Sequence, residues 1–125
     1  MNNKPNLLIV EDDELSRKAY EVVFSKRFNV IICKNDIEFE QIVNSHKFDI
    51  FIIDISLVGM KDGIQIIEEL RQMENYKSSP IIVVTANAFK KDEEISMAAG
   101  ADKFIRKPID NRLLMEEVYS LLIKN

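Results

Sequence analysis

The sequence predicts an α/β protein with a doubly wound, five-stranded parallel sheet and helices on both of its faces. Three observations predict it. Apolar runs of strand length recur five times, at Leu7–Val10, Phe28–Cys33, Ile50–Ile53, Ile81–Val84 and Phe104–Ile105. Helical patterns fill every interval between them, which makes five βα units. The runs are continuous rather than alternating, as expected of parallel strands covered on both faces and joined by right-handed crossovers.

The first run closes on three acids, Glu11-Asp12-Asp13, and the helix after it carries Leu15, Ala19, Val22 and Val23 at helical spacing, the expected core stripe. The second strand ends at Cys33, the single cysteine, expected as a buried thiol. Phe39, Ile42 and Val43 form the stripe of the second helix, with His46 at its end, partly buried or capping. The third strand runs into Asp54, and the third helix shows Ile66, Ile67, Leu70 and Met73. Pro80 marks entry to the fourth strand, which ends at Thr85. The fourth helix begins in the mixed charges Lys90-Lys91-Asp92-Glu93-Glu94, a solvated face, and runs through Ile95, Ala98 and Ala99 to a stop at Gly100. After the fifth strand and Lys107-Pro108, the last helix carries Leu113, Leu114, Val118, Leu121 and Leu122. Met115 and Tyr119 lie off that stripe and either pack simply or form an exposed patch with the preceding helix.

A chain of 125 residues with 46% hydrophobic content suits a single core that buries roughly two thirds of the unfolded surface. One domain over residues 1–125 is expected, without an output domain, internal repeat or linker. A net charge of −4 and a pI near 5.1 give no general attraction to nucleic acid or to an anionic membrane. The four apolar residues before the acids are too few for a signal peptide or a membrane span. A soluble, cytoplasmic protein is the expectation, with no direct nucleic-acid or membrane partner.

If the first and third runs are neighbouring parallel strands, their carboxyl ends bring Glu11, Asp12, Asp13 and Asp54 into one crevice, where mutual repulsion calls for a cation. With no Cys or His beside these acids, a hard oxygen-seeking ion such as Mg2+ fits, and it would bring a phosphoryl group. Thr85 and Lys107 reach the same crevice from the fourth and fifth strands. A carboxylate can attack phosphorus to form an acyl phosphate, while a hydroxyl and an ammonium bind the equatorial oxygens.

Leu8-Ile9-Val10-Glu11-Asp12-Asp13, Asp54, Val84-Thr85-Ala86 and Lys107-Pro108 together resemble the receiver domain of two-component response regulators, over essentially the whole chain. The resemblance implies strand order 2-1-3-4-5 and a phosphoacceptor at Asp54, supplied by the histidine of a sensor kinase or a histidine phosphotransfer protein. It implies Mg2+, with Mn2+ as a substitute, held directly by Asp12 and Asp54, largely through water by Glu11, and by the backbone carbonyl of Ser56. Asp13 is then a helix N-cap. Thr85 becomes the switch hydroxyl with the Ala86 N–H beside it, and Lys107 pairs with the phosphoryl group and, before that, with Asp54. The Lys107-Pro108 bond is expected to be cis, and Phe104 takes the switch-aromatic position with an inward ring. Catalysis would be limited to the chain's own phosphorylation and slow autodephosphorylation, with Ser56 and Asn87 bearing on its lifetime. The downstream effector is left unnamed, and a phosphorylation-dependent homodimer through the fourth and fifth helices is allowed.

Two departures fall in the loop after Asp54: Val58 stands where the family usually has proline, and Gly63 lies one residue further along than is common. A haloacid-dehalogenase-type phosphatase would need a second aspartate where Ser56 stands. An FMN carrier would need a phosphate-cradling loop where the first acids stand. A docking-only pseudo-receiver is opposed by intact Asp54, Thr85 and Lys107 and favoured only by the altered loop.

Overall fold

In a computed structural model, which describes residues 3–55, 62–86 and 89–123, five parallel strands form one sheet in the order β2-β1-β3-β4-β5. The strands are β1 (Asn6–Val10), β2 (Asn29–Cys33), β3 (Ile50–Ile53), β4 (Ile81–Thr85) and β5 (Lys103–Arg106). The helices are α1 (Glu14–Phe24), α2 (Asp36–Ile42), α3 (Gly63–Gln72), α4 (Lys90–Ala99) and α5 (Asn111–Ile123), with a 3-10 turn at Glu74–Tyr76. Val10 pairs with Cys33 on one side and with Ile53 on the other, so β1, β2 and β3 end level with one another. This register places the residues that follow Val10 and Ile53 side by side.

Successive residues of a strand face opposite sides, so the continuous apolar runs feed two separate cores. Leu8, Val10, Phe51, Ile53, Ile81 and Val83 pack with Phe39, Val43, Ile66, Ile67 and Leu70 of the α2/α3 layer. Leu7, Ile9, Ile50, Ile52, Ile82 and Val84 pack on the other face with Tyr20, Phe24, Phe28, Leu114 and Val118. The stripes expected of α2 and α3 are therefore core. Cys33 is buried, and burial pushes its thiol up to about 12.

Helix α1 departs from expectation. Leu15 and Val22 are 76% and 64% exposed and Ala19 is exposed as well, while Tyr20 and Phe24 are buried and Val23 packs beside them. Tyr20, Phe24 and Phe28 form an edge-to-face series with centroids 5.9 and 6.0 Å apart, and Tyr119 continues it 5.4 Å from Phe28. An aromatic ring removes more apolar area from water than Leu or Val, so the helix turns its aromatics inward. Met115 and Tyr119 of α5 accordingly pack against this core, and Leu113 of the expected stripe is turned out, at 55% exposure.

On α4 the inward position is Ser96, whose hydroxyl donates to the Asp92 carbonyl at 2.7 Å, whereas Ile95 is 41% exposed. The helix stops at Gly100 with φ of 125°, the left-handed region that favours glycine. His46 lies beyond the end of α2 and is exposed, its ring against Phe48. Arg71 of α3 ties this half of the molecule together: it donates to the carbonyls of Gly100, Tyr76 and Ser79 and to the Asp102 carboxylate.

Candidate functional site

The acids meet because the ladder continues past the strand ends. The Asp54 N–H donates to the Val10 carbonyl at 3.0 Å and the Glu11 N–H to the Cys33 carbonyl at 2.9 Å, which holds Asp54 in register with β1 and Glu11 in register with β2. Glu11, Asp12 and Asp54 can each bring a carboxylate oxygen to within 4.8 Å of the others. Glu11 and Asp54 are buried and Asp12 is exposed. The donor set is carboxylate oxygen throughout, which suits a hard divalent cation.

Lys107 enters from the end of β5, where its N–H donates to the Thr85 carbonyl at 3.0 Å and its peptide bond to Pro108 is cis. Its ammonium donates to Glu11 Oε1 at 2.7 Å and to Asp54 Oδ2 at 3.4 Å. The pairing with Asp54 is present, but the tighter partner is Glu11, whose longer side chain reaches the ammonium more closely.

Burial pushes the Glu11 carboxyl up from 4.5 to about 7; the Lys107 hydrogen bond opposes the shift and the Asp54 charge reinforces it. Burial by itself would lower Lys107, but the Glu11 hydrogen bond and the charges of Asp54 and Glu11 outweigh it and raise its pKa. The lysine is therefore charged at neutral pH.

Asp13 accepts the Ser16 N–H at 2.8 Å as the N-cap of α1, and this bond lowers its pKa. Its part is structural, as expected. Thr85 is fully buried at the end of β4 and Ala86, next to it, is exposed. Phe104 is half-buried and packs against the α2/α3 core. Ser56, Val58, Gly59 and Asn87 lie outside the described residues.

Of two further contributors, Arg17 escaped the sequence reading, and Gly63 was noted there only for its distance from Asp54. Arg17 donates to the carbonyls of Glu11 at 3.2 Å and Asp12 at 2.6 Å, fixing the backbone that carries the acids. A cation four residues after an N-cap, on the first turns of a helix, was the available signal. Gly63 begins α3 against the backbone of the phosphoacceptor candidate: a Cβ there would stand 2.5 Å from Ile55 Cα and 2.6 Å from the Asp54 carbonyl oxygen. Glycine is the one residue that fits so close an approach. Asp62 caps this helix, accepting the Gln65 N–H at 3.0 Å while Gln65 Oε1 accepts the Asp62 N–H.

Carboxylates and a lysine thus converge at the carboxyl edge of a five-stranded parallel α/β sheet. The response regulator receiver domain family matches residues 7–119, and the chain belongs to that family. It is 32% identical over 121 residues to a probable transcriptional regulator, ycf29, of Porphyra purpurea, across 96% of this chain and 57% of that protein. The chain thus spans little more than half the length of that relative. It is 30% identical over 118 residues to the polar-differentiation response regulator DivK of Brucella anthropi, across 94% of this chain and 95% of that one. A CheY-like response regulator receiver domain protein from Methanospirillum hungatei shares the fold, with a TM-score of 0.89 at 24% identity over 98% of this chain and 96% of that one. Members of the family are regulatory domains of two-component signalling rather than classical enzymes. No described helix is long and apolar enough to cross a membrane.

Proposed function

We propose that this chain is a phosphoacceptor acting as a single receiver unit in the cytoplasm. Asp54 takes a phosphoryl group from the histidine of a sensor kinase or a histidine phosphotransfer protein, and the phosphorylated state presents an altered surface to a downstream effector. The observation that carries this reading is the convergence of Glu11, Asp12 and Asp54 on one point, with the Lys107 ammonium 2.7 Å from Glu11 and 3.4 Å from Asp54.

The all-oxygen donor set fits Mg2+, with Mn2+ as a substitute: Asp12 and Asp54 would hold it directly, Glu11 largely through water, and the Ser56 carbonyl would complete the protein ligands. When bound, the ion would neutralise charge on the transferring phosphoryl oxygens. In the transfer, an Asp54 carboxylate oxygen forms a P–O bond as the P–N bond of the donor histidine breaks. The imidazole keeps the bonding pair and takes a proton from solvent. Lys107 turns from the carboxylates to the phosphoryl oxygens, where the Thr85 hydroxyl and the Ala86 N–H add neutral donors. Phe104 then follows Thr85 inward. Water later cleaves the acyl phosphate and returns Asp54, with Ser56 and Asn87 bearing on access.

A protein donor has to cover the mouth of this crevice, and Leu15 and Ala19 of α1 are among the apolar side chains left uncovered beside it. Exposed Ile95, Met97 and Leu113 support a phosphorylation-dependent homodimer through α4 and α5. Moving such a switch from 1:99 to 99:1 requires roughly 5.5 kcal/mol of differential stabilisation by the phosphoryl group. The acidic net charge of −4 gives no support to direct nucleic-acid binding.

The test is intact mass after incubation with Mg2+ and acetyl phosphate, with Asp54→Asn alongside. One phosphoryl adduct that needs Mg2+ and is lost in the variant is the expected result. Mg2+ binding with no adduct would turn the reading to a docking-only pseudo-receiver.

A further inference from the structure

Lys107 and Tyr20 line one groove of about 520 Å³ that opens beside the acids, its walls otherwise largely apolar: Leu15, Ala19, Ala86, Pro108 and Ile109. Tyr20 comes to it from α1 and is only 5% exposed, its ring held edge-on to Phe24. A phenylalanine there would make the same ring contact and fill nearly the same volume, so packing does not account for the hydroxyl. Among the described residues that hydroxyl has no hydrogen-bond partner. A phenol usually finds one when its ring is buried.

Lys107 lines the same groove. An ammonium has three N–H bonds to place, and among the described residues Glu11 and Asp54 take two of those of Lys107. The phenol is held within the field of the same three groups, because Lys107, Glu11 and Asp54 each act on its ionisation, after burial as the largest influence. An unpaired donor and an unpaired acceptor thus share one partly desolvated space, with the scaffold of each held by packing.

We propose that Tyr20 is a positioning residue for Lys107, its phenol oxygen accepting the third N–H of the ammonium and keeping the cation over the site when the phosphoryl group replaces the bare carboxylate as its partner. The inference rests on the phosphoacceptor reading of Asp54. A lysine stem is long and freely rotating, and its point charge has no directional preference of its own. A fixed acceptor at its flank limits the ammonium to positions useful to the transferring group, which is an orientational gain.

The experiment compares the parent with Tyr20→Phe, Lys107→Ala and the double variant. The initial rate of phosphoryl uptake from acetyl phosphate is measured at saturating Mg2+ by intact mass. Tyr20→Phe should slow uptake about tenfold in the parent background, the loss typical of one charge-assisted hydrogen bond. In the Lys107→Ala background it should change nothing. The side-chain ammonium resonance of Lys107, followed by nitrogen NMR, should move in Tyr20→Phe while the urea midpoint stays put. Equal rates in Tyr20→Phe and parent, or the same loss in both backgrounds, would overturn the inference and leave Asp54 as the phosphoacceptor. A parent that takes up no phosphoryl group would overturn both readings together.

Discussion

Glu11 is a buried carboxylate beside another buried carboxylate, and Lys107 offsets only part of the cost of desolvating its charge, to which the Asp54 charge adds. Folding raises its pKa from 4.5 to about 7, so the native state holds a proton that the unfolded chain releases. The stabilising contribution of this proton is complete below 4.5 and is lost as the pH rises through 7. In chelator, the free energy of unfolding should therefore fall by about 3 kcal/mol across that window, and Glu11→Gln should flatten the slope. Urea unfolding at several pH values measures it, and an unchanged slope in the variant would remove Glu11 as the cause. Asp13 acts in a different window: its pKa is lowered by the Ser16 N–H, so the stability its cap contributes is complete above 3.8 and is lost as the pH falls further, through its lower native value. Gly63 is limited by space rather than charge. Gly63→Ala would set a Cβ against the backbone of Asp54 and Ile55 and should cost about 1–3 kcal/mol, because backbone atoms must shift. It should also slow phosphoryl uptake, whereas a variant with parental stability and rate would show that α3 backs away freely.

At the scale of elements, α1 has a buried face of aromatics and an outward face of Leu15, Ala19 and Val22. Leu15→Glu alters a residue with 76% exposure, so stability should change by no more than about 0.5 kcal/mol. Transfer from a phosphohistidine protein should slow severalfold while uptake from acetyl phosphate stays the same. Equal rates from the protein donor would move the docking surface off α1. Arg71 of α3 reaches the carbonyl of Gly100 at the end of α4, and its guanidinium serves three carbonyls and one carboxylate in all. Arg71→Ala leaves these acceptors without their donor and should lower stability by about 2–4 kcal/mol in urea unfolding. An effect below 1 kcal/mol would mean that water replaces the guanidinium. A substitution at Gly100 would be strained by its φ of 125°, and a Cβ there would in addition meet the Arg71 side chain at 2.7 Å.

For the whole molecule, the crevice stores repulsion among carboxylates that a bound cation relieves, so binding should be linked to folding. At a hundredfold excess over Kd, Mg2+ should stabilise the native state by about 2.7 kcal/mol. Asp12→Asn should remove most of that gain, and equal Mg2+ responses in variant and parent would place the cation elsewhere.

Much of this molecule was legible in its sequence. Continuous apolar runs can be satisfied only by a sheet covered on both faces, which made the five βα units readable, and the acids after the first and third runs pointed to the crevice. The N-cap at Asp13 and the stop at Gly100 were readable for the same reason: each depends on chemistry within one helical turn.

What remained for the tertiary structure depends on contacts between distant parts of the chain. Leu15, Ala19 and Val22 are periodic enough to be core, yet Tyr20 and Phe24 take the inside because Phe28 and Tyr119 wait there to pack against them. Lys107 chooses Glu11 over Asp54 across 96 residues of sequence, by the reach of one side chain. Gly63 and Arg71 carry no periodic signal at all, since their importance lies in which backbone they touch. Periodicity and capping are local and can be read along a chain; the rotation of a helix about its axis and the partner of a charge are settled only when distant surfaces compete for the same space.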